Sequence, residues 1–104
     1  MRILVIGGTY FCGKAFTQIA SADNEIVLLN RGNRKPDFIN DNHISYVKAD
    51  RNNIDNYTIE RLTDFGTFDA AVDFCAYKEG DIIDVVSKLN KIIKHYIFVS
   101  TSDV

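Results

Sequence analysis

Three glycines, Gly7, Gly8 and Gly13, set the chemistry this sequence offers, because they break the chain directly after the apolar run Ile3-Leu4-Val5-Ile6. Backbone N–H groups in such a turn, ahead of a helix start with its positive partial charge, form a site for a phosphate or diphosphate. Without side chains at the turn, the anion can approach the main chain closely. The cradle would run through Gly7, Gly8, Thr9, Tyr10, Phe11, Cys12 and Gly13. Tyr10 stands where a G-x-x-G-x-x-G turn has its middle glycine. Its ring must either swing clear of a pyrophosphate or cover it. The plainer alternative for the whole turn is a tight strand-to-helix connection that holds no ligand.

A second position bears on which dinucleotide would fit. An NAD site uses an acid roughly 20 residues beyond the glycines, which accepts hydrogen bonds from ribose hydroxyls. Here Asn30 and then Arg31 stand at that place, with Arg34 and Lys35 close by. A cation without the acid suits a ribose 2′-phosphate, so NADP is expected over NAD. A solvated loop arginine is the simpler reading of Arg31. Asp50 and Arg51, both candidate cofactor-binding residues, lie after a third apolar stretch, where Asp50 can reach an adenine edge or serve as a cap or turn residue. Cys75 and Ala76 are small residues that would admit the cofactor beside the glycine turn. As a redox nucleophile Cys75 has neither a base nor a partner cysteine in view. Packing is the simpler role for it and for Cys12.

These positions need a scaffold, and the hydrophobic pattern supplies one. Strand-like runs fall at Arg2–Ile6, Ile26–Leu29, Ile44–Val47, Ala70–Phe74 and Tyr96–Val99. Between the first two, Ala15, Phe16, Ile19 and Ala20 fit one helical face. Residues 30–36 are a basic, turn-rich loop, and a weakly amphipathic segment around Ile54–Leu62 closes at Phe65-Gly66. From Asp81, helical spacing links Ile82, Val86, Leu89 and Ile93, with acids early and Lys88, Lys91 and Lys94 late, as the helix dipole favours. Strands alternating with helices predict an α/β fold with a parallel sheet and right-handed crossovers. The expected form is a Rossmann-like, doubly wound single domain over residues 1–104. Its strand order is 3-2-1-4-5, with the ligand crevice at the carboxyl ends of strands one and four.

Composition narrows the function classes. With 46% hydrophobic and 25% charged residues, the chain has the make-up of a soluble globular domain. A net charge of −2 gives no electrostatic basis for binding nucleic acid. No apolar run approaches the ~20 residues of a membrane span, and the first apolar run is too short for a secretory signal. Cys12 and Cys75 lie far apart and form no C-x-x-C pair, so a reduced, cytoplasmic setting is expected. His43 and His95 lack metal-ligand spacing, and no metal is expected.

Five segments in order carry a family resemblance: Ile-Gly-Gly-Thr-Tyr-Phe-Cys-Gly at 6–13, Leu-Leu-Asn-Arg-Gly at 28–32, Ala-Asp-Arg at 49–51, Phe-Asp-Ala-Ala-Val-Asp at 68–73 and Tyr-Ile-Phe-Val-Ser-Thr-Ser-Asp-Val at 96–104. Together they resemble the amino-terminal half of extended or atypical short-chain dehydrogenases/reductases, the NAD-dependent epimerase/dehydratase family. The bulky residue in the glycine turn and Asn-Arg-Gly after strand two are similar to a subgroup that includes the chloroplast stem-loop RNA-binding proteins. The resemblance implies a domain holding NAD(P) and, in the enzymes, hydride transfer on nucleotide-sugar or related substrates. It also implies a catalytic Ser or Thr after strand five, matched by Thr101 with Ser100 as its neighbour, followed by Tyr-x-x-x-Lys. The tyrosine of that pair would be the general acid/base. Neither of those two residues follows Thr101 before Val104, and Tyr57, Tyr77 and Tyr96 do not supply the spacing. The chain therefore reads as a catalytically incomplete amino-terminal piece of a longer protein. An uncovered strand-five edge would then favour self-association. Rival readings are a non-catalytic NAD(P)-sensing scaffold and, against the acidic balance, an RNA-binding protein.

Overall fold

The computed structural model describes residues 1–7, 11–30, 43–76 and 79–99. Its elements run β1 (Arg2–Ile6), α1 (Phe11–Ala20), β2 (Glu25–Asn30), β3 (Ile44–Lys48), α2 (Asn56–Thr63), β4 (Ala70–Asp73), α3 (Glu79–Leu89) and β5 (Tyr96–Phe98). The strands form one sheet in the order β3-β2-β1-β4-β5, and every neighbouring pair is parallel. At its centre Val5 is in register with Leu28 on one side and Val72 on the other. This is the doubly wound Rossmann-like α/β fold expected from the sequence, with the order reversing at β1.

Unbroken Ile, Leu and Val runs form β1 and β2 because both faces of the sheet are covered there. Leu4, Ile6, Val27, Leu29, Val47 and Ala71 share a core with Ile54, Leu62 of α2, Phe68, and Val85 and Leu89 of α3. The alternate residues Ile3, Val5, Ile26, Leu28, Ile44 and Val72 lie in a second core, against which Phe16 and Ala20 of α1 pack. Two helices thus cover one face and one helix the other. No helix among the described residues is long and apolar enough to cross a membrane.

Two helical faces differ from their expected form. In α1 the buried stripe is Gly13 and Thr17, flanked by half-buried Phe16 and Ala20, whereas Ile19 is 76% exposed. Thr17 lies fully buried because its hydroxyl donates to the Gly13 carbonyl at 2.9 Å, so burial leaves no polar group unmet. In α3 the inward residues are Asp81, Val85 and Leu89, while Val86 is exposed. The helix ends at Leu89, so Ile93 is not part of it. The cause is a competing pairing. Phe68 N–H donates to the Ile92 carbonyl at 2.7 Å and Lys94 N–H to the Phe68 carbonyl at 3.0 Å, which draws residues 92–94 alongside the chain entering β4. Lys88 alone of the three late lysines remains in the last helical turn.

The shortest helix has clear end signals. Asp55 caps α2, its Oδ1 accepting from the Thr58 N–H at 2.9 Å and the Thr58 hydroxyl at 2.8 Å. Those donors hold the Asp55 carboxyl below its ordinary pKa.

Candidate functional site at the carboxyl end of the sheet

The carboxyl ends of β1 and β4 meet where the strand order reverses, the usual place for a ligand crevice in an open α/β sheet. Gly7 leaves β1 with φ +77, a left-handed conformation, and its N–H donates to the Leu29 carbonyl at 3.2 Å. A Cβ at Gly7 would lie 2.9 Å from both Cβ and Sγ of Cys75, so glycine is required by backbone and neighbour alike. Helix α1 opens at Phe11 and contains Cys12 and the buried Gly13. Gly8, Thr9 and Tyr10 lie outside the described residues, as do Arg31, Arg34, Lys35, Tyr77, Lys78, Ser100 and Thr101.

The other expected site residues gather at the same end. Asn30 closes β2, and its carbonyl accepts from Ala49 N–H at 2.9 Å, which ties the chain after β3 to the end of β2. Asp50 forms an Asx turn, with Oδ1 accepting from Asn52 N–H at 2.9 Å and the Asp50 carbonyl from Asn53 N–H at 3.0 Å. Cys75 is half-buried beside Gly7, and Ala76 is buried.

Arg51, expected among the cofactor-binding residues, turns inward. Its side chain is 9% exposed and ion-paired to Asp73, whose side chain is fully buried at the end of β4. The second guanidinium nitrogen donates to the carbonyl of Asp81 in the first turn of α3. Tyr96 of β5 donates its hydroxyl to the other Asp73 oxygen, and Cys75 N–H donates to Oδ1 at 3.0 Å. One carboxylate thus collects donors from the β3 loop, from β5 and from its own strand end. That is how a charge is tolerated among apolar side chains. Arg51 Nε is buried without a hydrogen-bond partner among the described residues.

Electrostatics follow from this crowding. Burial works against the Arg51 charge, but the hydrogen bonds Arg51 donates to Asp73 and Cys75 outweigh it and the net shift is upward. Burial, then the neighbouring Asp73 carboxylate, raises the Tyr96 hydroxyl. Burial also raises the Cys75 thiol, although Arg51 Nη1 lies 3.6 Å from its sulfur and pulls the other way. A thiol so placed is protonated at neutral pH and is a poor nucleophile. Among the described residues no three His, Cys, Asp or Glu side chains gather as metal ligands do.

Sequence reasoning singled out neither Asp73 nor Tyr96 as a site residue and did not anticipate the inward course of Arg51. One signal was present. A carboxylate ending the otherwise apolar Ala70-Ala71-Val72 run needs a buried cationic or hydrogen-bonding partner.

No family model and no curated protein sequence matches the chain. Solved structures do share its fold. A short-chain dehydrogenase/reductase from Veillonella parvula superposes with a TM-score of 0.74 at 17% identity, over 95% of this chain and 46% of that one. The epimerase Mth375 from Methanothermobacter thermautotrophicus gives 0.71 at 16% identity, over 93% of this chain and 34% of that one. The Bordetella bronchiseptica enzyme WbmG, solved in complex with NAD, gives 0.71 at 17% identity, over 94% and 36%. The chain spans between about a third and a half of the length of these structures.

Proposed function

We propose that this chain is the dinucleotide-binding domain of an oxidoreductase of the epimerase, dehydratase or reductase type, within the short-chain dehydrogenase/reductase family. The observation that carries the reading is Gly7, left-handed at the carboxyl end of the central strand and followed by α1 at the reversal of strand order. A diphosphate is the ligand that a glycine turn aimed into a helix start favours. The small neighbours Cys75 and Ala76 fit the approach of a cofactor backbone there. Structures of like fold are epimerases and short-chain dehydrogenases/reductases, and WbmG holds NAD.

NADP is preferred in this reading, since Asn30 rather than an acid closes β2 and Arg31 follows it. Thr101 is the candidate catalytic hydroxyl, and a tyrosine–lysine pair must come from outside this sequence for turnover. Residues 1–104 are then a catalytically incomplete cofactor domain that acts in a reduced, cytoplasmic setting. Fluorescence titration with NADPH and NADH tests the reading. Binding of both, tighter for NADPH, is expected, with the preference lost in Arg31→Ala. Binding of neither dinucleotide rejects the site. The reading extends to self-association at β5, an edge strand whose Ile97 and Phe98 are 49% and 41% exposed. A monomeric mass by sedimentation at high concentration would reject that part.

A further inference from the structure

We infer that Arg51 is a positioning residue that holds Asp50 against the adenosine half of the dinucleotide, an inference that rests on the cofactor-binding reading above. The sheet places β2 and β1 between β3 and β4, so no backbone pairing joins the ends of β3 and β4. The Arg51 side chain does. It leaves the loop after β3, binds Asp73 at the end of β4 and reaches the Asp81 carbonyl in the first turn of α3. A planar guanidinium can bond two partners in fixed directions, which a lysine ammonium on a flexible stem cannot reproduce. Asp73 is itself fixed by Tyr96 and by the Cys75 N–H, and Cys75 packs on Gly7. The same buried carboxylate therefore sets both the loop that carries Asp50 and the wall of the phosphate turn. Asp50 adjoins this anchor in the chain, and its own loop contacts are the Asx turn and the Ala49–Asn30 bond.

A double-mutant comparison of NADH and ADP affinity tests the inference, with circular dichroism confirming that each variant is folded. Asp50→Ala should weaken binding about tenfold, the loss of a hydrogen bond to a charged group. Arg51→Lys should weaken it as much, and the double variant should be no weaker than either single one, because both remove the same contact. Should Arg51→Lys not fold, Arg51→Gln, which leaves Asp73 with its Tyr96 and Cys75 donors, replaces it in the comparison with the same expected result. Losses that multiply to about a hundredfold in the double variant, or unaltered affinity in a folded Arg51 variant, would overturn the positioning role alone. A wild-type chain that binds none of NADPH, NADH and ADP would reject the cofactor-binding reading and this inference with it.

Discussion

Both ends of the sheet hold an arginine on a carboxylate, but the two pairs live in different media. At the amino end Arg2 Nε donates to Glu25 Oε1 at 2.8 Å, linking β1 to β2, with side chains 31% and 49% exposed. At the carboxyl end Arg51 and Asp73 are 9% and 0% exposed. Water and salt screen the first pair, so it adds little to stability. The second has lost its hydration, and each partner depends on the other. The amino end can thus change with small penalty, while the carboxyl end is a fixed frame around the crevice.

The comparison breaks most sharply at Asp73. Asp73→Ala leaves the Arg51 guanidinium buried without its counterion and should cost about 3–5 kcal/mol in urea unfolding. Replacing both partners by Met and Leu should recover part of that stability, since no buried charge is left although Tyr96 and the Cys75 N–H still lose their acceptor. If Asp73→Ala costs under about 1 kcal/mol, the two ends are alike and the contrast fails.

Next in size is Gly7→Ala. A left-handed alanine and its contact with Cys75 should together cost about 2–4 kcal/mol. In a Cys75→Gly background the contact penalty should vanish and the backbone penalty remain, as thermal melts would show.

Tyr96→Phe removes one donor to Asp73 and should cost about 1–2 kcal/mol at neutral pH. It also bears on alkaline behaviour. The folded-state pKa values of Tyr96 and Cys75 lie above their ordinary values, so the stability they contribute is complete below those ordinary values and lost as pH rises through the raised ones. Melting temperature should fall above roughly pH 9, and less steeply in Tyr96→Phe.

The smallest effect belongs to the amino end. Glu25→Gln should cost about 0.2–1 kcal/mol in low salt, and the difference should fade as salt is added. Asp69 gives this end its acid response. The Arg2 N–H, donated at 2.8 Å, lowers its folded-state pKa. Its contribution is present above the ordinary carboxylate value and lost as pH falls through the lowered one. Asp69→Asn should flatten the acid limb of the melting curve.

The sheet was legible from residues because buried parallel strands leave solid runs such as Ile3–Ile6 and Ile26–Leu29, which few other structures produce. The helices were less so. Ile19 and Val86 satisfy a helical period yet face outward, since which side meets the sheet depends on the turn before each helix and not on apolar count alone. Helical spacing extends to Ile93, but a non-local pairing with Phe68 cuts the helix short, and no local pattern encodes such a contact. At the site, Gly7 and Cys75 could be placed at one sheet end from topology. The inward course of Arg51 could not be read from its neighbours, because it depends on Asp73, 22 residues on.

The central strand comes before both its neighbours in the chain, and this orders assembly during synthesis. The β1–α1–β2 unit can close early, since Ile3 pairs with Ile26. The other flank of β1 stays unpaired until Ala70–Asp73 has been made. Until then Arg51 has no counterion and keeps its charge in water, so the frame around the crevice cannot close before β4 pairs with β1, and Asp81 of α3 and Tyr96 of β5 complete it.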